Sequence, residues 1–380
     1  MSPVALRRRA TSDGSTVAHL HSQQSTPAAA GTAAEGGLAA PYVIMQDDEA
    51  AALAHSRFGI RGTVTRFATE KDDTFRVDAD DGRRVILKVA NPSEDVSEIA
   101  FQAELLQHIE RVDPALPVPR VLPDAQGRAH AQIVDRAGQA RQVRLMSYLD
   151  GTPLDSTGSS PAERERVGEV LGRLRRATAG FSHPAENRVL AWDVKHLPTL
   201  RPLLDDVVDD RQRAVLAAGM ARFDDLMPRT RALPTQVLHN DFSRSNIVVD
   251  HASPAFVTGI IDFGDAVRTA VAIDVSTALL NQLPRDAAEN PVEDLLAAGR
   301  DVLRGYLREA TLSDEELAMI PHLVMGRAVA RALITLWRAR LFPENSPYIL
   351  RNTEQGWAQL DWFLARSVDE VSQTLLTGNA

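Results

Sequence analysis

Two short polar segments bracket one predicted β-hairpin, and together they restrict this chain more than any other feature. The first is His239-Asn-Asp-Phe-Ser-Arg-Ser-Asn246 and the second is Ile261-Asp-Phe-Gly-Asp265. Between them, Ile247-Val-Val249 reads as a strand, Asp250-His-Ala-Ser-Pro254 as a turn, and Phe256 to Ile261 as the returning strand. In an antiparallel pair the start of one strand lies beside the end of the other, so Asn246 and Asp262 arrive at the same end. A carboxylate and an amide oxygen side by side suit Mg²⁺, which keeps waters and phosphate oxygens as its other ligands. Asp241 stands five residues before Asn246 in the same loop. From there it can face the metal position and accept a proton from an attacking hydroxyl.

Phosphoryl transfer needs a metal across the phosphates, an oriented nucleophile and little covalent help. The order His-x-Asp-x-x-x-x-Asn followed by Asp-Phe-Gly is the kinase pattern. Asp and Asn are common in turns, so either segment alone would be equivocal. Both together, in order around a hairpin, point to chemistry. His239 reads differently, as a scaffold residue whose ring bonds the backbone beside Asp262.

Upstream, a short helix is expected over 47–57, closed by Gly59, followed by strands over 60–67, 74–77 and 83–90. Lys88 lies inside the apolar run Val85-Ile-Leu-Lys-Val89. A lysine there needs an anionic partner or an edge position, and with the downstream motifs it reads as a phosphate contact. The acid steadying it is expected on the next helix, Glu104 first and Glu98 as the alternative. The phosphate-covering loop falls at Thr69-Glu-Lys-Asp-Asp-Thr74, without glycine. Strands over 129–134 and 141–147 follow. They end in a hinge, Leu145-Met-Ser-Tyr-Leu149, where Met146 and Tyr148 are the candidates for reading an adenine. After Asp150-Gly151 helical patterns dominate, at 161–180, 211–226, 271–283, 292–310, 321–340 and 352–375. The expected architecture is therefore α+β and bilobal. It has a disordered tail over 1–40, a small antiparallel-sheet lobe over 41–147 for the nucleotide, and a mainly helical lobe over 148–380 carrying the catalytic and metal loops.

Composition narrows the partners. Lys and Arg number 42 against 51 Asp and Glu, a net charge of −9. An acidic chain argues against a nucleic-acid backbone as main partner and suits a cationic or zwitterionic small molecule. No cysteine is present, which excludes disulfides, thiolate nucleophiles and Cys-ligated zinc. No apolar run is read as a bilayer span, and the basic first residues lead into no apolar stretch. The expectation is a cytoplasmic protein without a membrane partner.

These residues resemble the aminoglycoside phosphotransferase/choline kinase-like family, closest to its hydroxylysine-kinase-like branch. The stretches that carry the resemblance are Ile86-Leu-Lys-Val-Ala-Asn-Pro92, Asp113 to Val121, Val143 to Gly151, His239-Asn-Asp241 and Gly259 to Asp265. The resemblance implies a protein-kinase-like fold, ATP and Mg²⁺, and phosphorylation of a hydroxyl on an amine-bearing small molecule: hydroxylysine, an amino alcohol, a hydroxy amino acid or an aminoglycoside-like compound. It implies a base role for Asp241, metal roles for Asn246 and Asp262, and a phosphate role for Lys88. In such an alignment the position of the acid beside Lys88 can also fall on Gln102. On the substrate side, Asp265 is a candidate for an ammonium group, Arg268 lines the far wall, and Asp274 reads as a buried anchor. A protein kinase is an alternative, but no Ala-Pro-Glu segment follows Asp-Phe-Gly. A catalytically silent nucleotide-binding module is another, against which the intact Lys88, Asp241, Asn246 and Asp262 speak.

Overall fold

The computed structural model describes residues 42–376 apart from Ala68, Glu70 and Asn352. The tail expected over 1–40 lies outside the described residues. The chain opens with α1 (Asp47–Phe58), which carries Asp47, Asp48 and Glu49 in its first turn, where carboxylates complement the helix dipole. Gly59 ends it in the left-handed region, φ 68°, its N–H returning to the last helical carbonyls.

An antiparallel sheet follows, built from β1 (Gly62–Phe67), β2 (Asp73–Ala79), β3 (Arg84–Val89), β4 (Val121–Leu122), β5 (Ala131–Val134) and β6 (Ala140–Ser147). The order is β1-β2-β3-β6-β4, with β5 also on β6. Alternation sends Phe75, Val77, Val85, Leu87 and Val89 into one apolar core with Leu145 and Met45. The same alternation sends Lys88 to the opposite face. Register sets Lys88 directly across from Arg144 on β6, so two cations share that face. Helix α2 (Val96–Val112) connects β3 to β4, capped by the Asp95 carboxylate on the Ser97 N–H.

The core of this sheet contains a buried ion cluster centred on Arg141. Asp73 and Arg141 are both fully buried, with Arg141 Nη1 2.7 Å from Asp73 Oδ2. The Met45 N–H donates to the same carboxylate at 2.9 Å, and Arg66 reaches its other oxygen. The remaining Arg141 donors go to the Ala90 and Val89 carbonyls at 2.7 and 3.0 Å. Removing Asp73 leaves the buried Arg141 guanidinium only the longer contact to the Asp135 carboxylate, at 3.7 Å. Asp73→Ala is expected to cost about 3–5 kcal/mol of unfolding free energy. Chemical denaturation measures it, and a loss below ~1 kcal/mol would contradict the assignment of a structural ion pair.

The second half is mainly helical: α3 (Pro161–Thr178), α4 (Asp210–Ala232), α5 (Val271–Leu280), α6 (Ala297–Glu309), α7 (Asp314–Leu341), the short α8 (Ser346–Leu350), α9 (Glu354–Leu364) and α10 (Val368–Leu376). Two patterns needed correction: the helix expected over 352–375 is split into α9 and α10, and a 3-10 run, Val194–Asp206, fills a region left unassigned. Helices α3 and α6 cross at glycines. A Cβ on Gly168 would lie 1.8 Å from the Val302 carbonyl, and one on Gly305 would lie 1.8 Å from the Glu165 carbonyl. Helix α7 begins at a reciprocal Ser313/Glu316 capping box. By length and composition it meets the criterion for a membrane span, which the sequence reading did not anticipate. Within its most apolar stretch 89% of residues are buried inside the protein, so a central core helix accounts for its composition.

Candidate active site

Four strands deliver the polar loops. The ladder between β8 (Thr235–Leu238) and β11 (Val267–Ala270) pairs Leu238 with Val267. It therefore brings His239 to the segment that ends at Ala266. The hairpin of β9 (Ile247–Val249) and β10 (Val257–Ile260) pairs Ile247 with Ile260, and the Ile261 N–H donates to the Asn246 carbonyl at 2.9 Å. A third strand, β7 (Thr152–Pro153), lies against β9. Just before it, Gly151 adopts φ 141°, and a Cβ there would meet the Val249 carbonyl at 2.6 Å. Glycine lets the interlobe connection run against the hairpin.

Two non-glycine residues hold left-handed backbone here, Asn240 at φ 62° and Asp262 at φ 60°. Such conformations persist where surroundings enforce them, and both are anchored. The Asn240 N–H donates to Asp274 Oδ1 at 2.7 Å, and His239 Nε2 lies 3.0 Å from the Ile261 carbonyl oxygen. His239 and Asp274 are buried supports, as the sequence reading had them. Burial pushes the Asp274 carboxyl up to about 6, against the pull of His239 and the Asn240 N–H.

Asn246 spends its Nδ2 hydrogens on Asp241, on the main-chain oxygen at 3.0 Å and on Oδ2 at 2.8 Å. These bonds fix the amide orientation and leave Oδ1 as the atom that could meet a cation. Asp262 Oδ1 accepts the Gly264 N–H at 3.2 Å and lies 3.7 Å from Lys88 Nζ. Lys88 holds the Asp262 carboxyl below the ordinary aspartate range, with the Gly264 N–H, His239 and Arg144 adding to it against partial desolvation. Two protein oxygens, from Asn246 and Asp262, fit a hard cation that retains water and phosphate ligands. Among the described residues no group of three or more His, Cys, Asp and Glu forms an all-protein metal cage. Asp241 is raised by burial, an effect that Arg327 opposes and Asp262 reinforces. Asp265 is pushed up to about 6 by burial and by Asp241 and Asp262. Three carboxylates therefore converge on one region.

The acid at Lys88 is neither of those expected. Asp72 Oδ2 lies 3.2 Å from Lys88 Nζ. Glu104 is 57% exposed and reaches His183 Nε2 at 3.8 Å. Glu98 pairs with Arg188 at 2.7 Å, which also donates to the Gly264 and Ala266 carbonyls and so ties α2 to the loop after Asp262. Gln102 accepts from Arg144 Nη2 at 2.6 Å. Asp72 comes from the segment read as a phosphate cover, of which Glu70 lies outside the described residues. Burial raises the Asp72 carboxyl, but Lys88, the Asn91 N–H and Arg144 outweigh it and leave the pKa low.

Other candidates fare unevenly. Arg268 forks onto Glu186 at 2.7 and 3.1 Å and is committed there. Met146 packs on the core of the helical half, at the junction of the two halves. Tyr148 lies under the Arg84 and Arg76 guanidinium groups, 5.3 and 5.8 Å away. The N–H groups of Ser147 and Tyr148 are spent on the Arg120 and Arg84 carbonyls. Sequence reasoning missed Arg327, whose Nη2 lies 3.6 Å from Asp241 Oδ1. It also missed the buried Arg144, which strand parity beside Lys88 would have revealed.

A family model described as a phosphotransferase enzyme family matches residues 63–312. The chain belongs to that family. This phosphotransferase is 23% identical over 355 residues to mouse (Mus musculus) hydroxylysine kinase, covering 86% of the chain and 92% of that protein. It is 27% identical over 260 residues to a homoserine kinase of Beijerinckia indica, covering 66% and 73%. In fold it is similar to a microcompartment-associated aminopropanol kinase, TM-score 0.64 at 20% identity, over 82% of this chain and 96% of that one. It is also similar to the amicoumacin kinase hAmiN, solved with AMP-PNP and Ca²⁺, TM-score 0.59 at 19% identity, over 78% and 88%. The bilobal protein-kinase-like architecture expected from sequence is the one observed.

Proposed function

We propose that this phosphotransferase moves the γ-phosphate of ATP to a hydroxyl of a small amine-bearing molecule. The observation that carries the reading is the convergence of Asp241, Asn246 and Asp262 at one hairpin end, with Lys88 3.7 Å from Asp262. In this reading Asp241 orients the acceptor hydroxyl and takes its proton as the oxygen bonds to phosphorus. Asn246 and Asp262 would hold Mg²⁺, which when bound neutralises phosphate charge. Lys88 and Arg144 face the phosphate oxygens, and Met146 supplies an apolar contact for adenine. The adenine edge falls to Leu149 onward, because the two preceding N–H groups are already bonded. The raised Asp265 carboxyl suits an ammonium group, since a cation beside it restores its charge.

The acceptors named for the relatives, hydroxylysine, homoserine and aminopropanol, are small hydroxylated amines. A polypeptide acceptor is disfavoured by the short path from Asp262 through β11 into α5 at Val271, which leaves no length for a peptide-binding segment. A coupled ADP-release screen over amino alcohols, hydroxy amino acids and aminoglycosides tests the reading, with Asp241→Asn as the blank. Acceptor-dependent release absent from the blank is the expected result. No release with any small hydroxylated amine would defeat the proposal.

A further inference from the structure

We propose that the acceptor site carries a carboxylate subsite formed by Arg327 and Arg331, so that the substrate is a hydroxy amino acid. The inference rests on the assignment of Asp241 to the acceptor hydroxyl and narrows the substrate class. The two arginines stand one turn apart on one face of α7. Arg327 is 5% exposed. Its Nη2 lies 3.6 Å from Asp241 Oδ1, its guanidinium stands over the Trp192 ring at 5.7 Å, and its Nη1 is buried without a hydrogen-bond partner. Arg331 makes one side-chain hydrogen bond, to Gln359 Oε1 at 3.2 Å, and Gln359 is itself fixed on the Pro284 carbonyl at 3.0 Å. Among the described residues no carboxylate pairs with Arg331.

This arrangement is incomplete as a purely structural one. A desolvated guanidinium is ordinarily paired with an acid. Here Arg327 shares one carboxylate whose task is to accept a proton, and Arg331 has only a neutral amide. Burial pulls the Arg331 guanidinium down to about 10, and repulsion from Arg327 and Arg285 adds to it. Neutralising Asp241 would account for Arg327 alone and leaves Arg331 without a role. A substrate carboxylate supplies the missing anion, and the planar guanidinium fork matches it. Arg327 acts on both Asp241 and Asp265, so cations and carboxylates share the acceptor region. A zwitterionic acceptor would therefore meet both signs of charge there.

Matched acceptor pairs test this on the full chain: L-homoserine against 3-amino-1-propanol, and 5-hydroxylysine against 1,5-diaminopentan-2-ol. Each pair differs in the carboxylate alone. One charge-assisted contact supports a preference of about 10–100-fold in kcat/KM for the amino acid. Arg331→Gln is expected to raise KM for the amino acid by a similar ~10–100-fold, with kcat nearly unchanged and the amino alcohol unaffected. Arg331→Lys keeps the charge without the fork and is expected to fall between. Equal kcat/KM within both pairs, or equal losses for both members in Arg331→Gln, would overturn the subsite. Calorimetric titration of the same four compounds separates this inference from the kinase reading. Amino-acid binding that Arg331→Gln abolishes, without turnover, supports the subsite while the kinase reading fails. Turnover of amino alcohols with no amino-acid binding does the reverse, and absence of both binding and turnover counts against the subsite.

Discussion

Asp241→Asn is expected to lower kcat by about 10²–10⁴-fold, the range for losing a positioned general base, while MgATP affinity stays within about twofold. The substitution keeps size and shape. An amide oxygen at this position still accepts from Asn246 Nδ2, now 2.8 Å from the carboxylate, so the loop is held. The negative charge facing Arg327 is lost, and with it the capacity to take a proton. Steady-state kinetics with the acceptor found by screening, together with a nucleotide titration, measure both quantities. Turnover within tenfold of the parent would refute the base assignment, and a collapse of nucleotide affinity would assign Asp241 to the metal instead.

Asp262→Ala is expected to weaken metal-dependent nucleotide binding by at least about 100-fold, the upper end of what losing an outer-shell partner costs. The carboxylate faces Lys88 at 3.7 Å and caps the turn through Gly264 N–H, and in the proposed reading it would also offer oxygens to the cation. Alanine also tolerates poorly the left-handed backbone at φ 60°. Asp262→Asn separates these effects, because asparagine accepts that conformation and retains an oxygen for the turn while losing the charge. Both variants are expected to lose Mg²⁺-dependent binding, with Asp262→Asn keeping the parent's thermal midpoint. Normal nucleotide affinity in either variant would contradict the ligand role.

Much of this site was legible because its geometry is local. Sequence separation along a hairpin dictates that Asn246 and the residue after Ile261 meet, and the β9–β10 register does bring them together. His239 and Asp274 were likewise readable as supports, because a buried polar residue beside a loop must bond something nearby. The error at Lys88 has the opposite cause. Helical spacing favoured Glu104, but the rotation of α2 about its axis turns that residue toward His183 and gives Gln102 to Arg144. Asp72 reaches Lys88 from the β1–β2 connection, a placement that periodicity does not encode.

The sequence by itself determined the hairpin that gathers Asp241, Asn246 and Asp262, because strand register acts over a few residues and leaves little freedom. Only the tertiary structure decided which charges answer them. Asp72 and Arg144 lie far along the chain from the Arg327/Arg331 pair, and none of the four carries a motif. Their roles depend on how a sheet and the buried helix α7 are set against one another, and that placement comes from the sum of many apolar contacts.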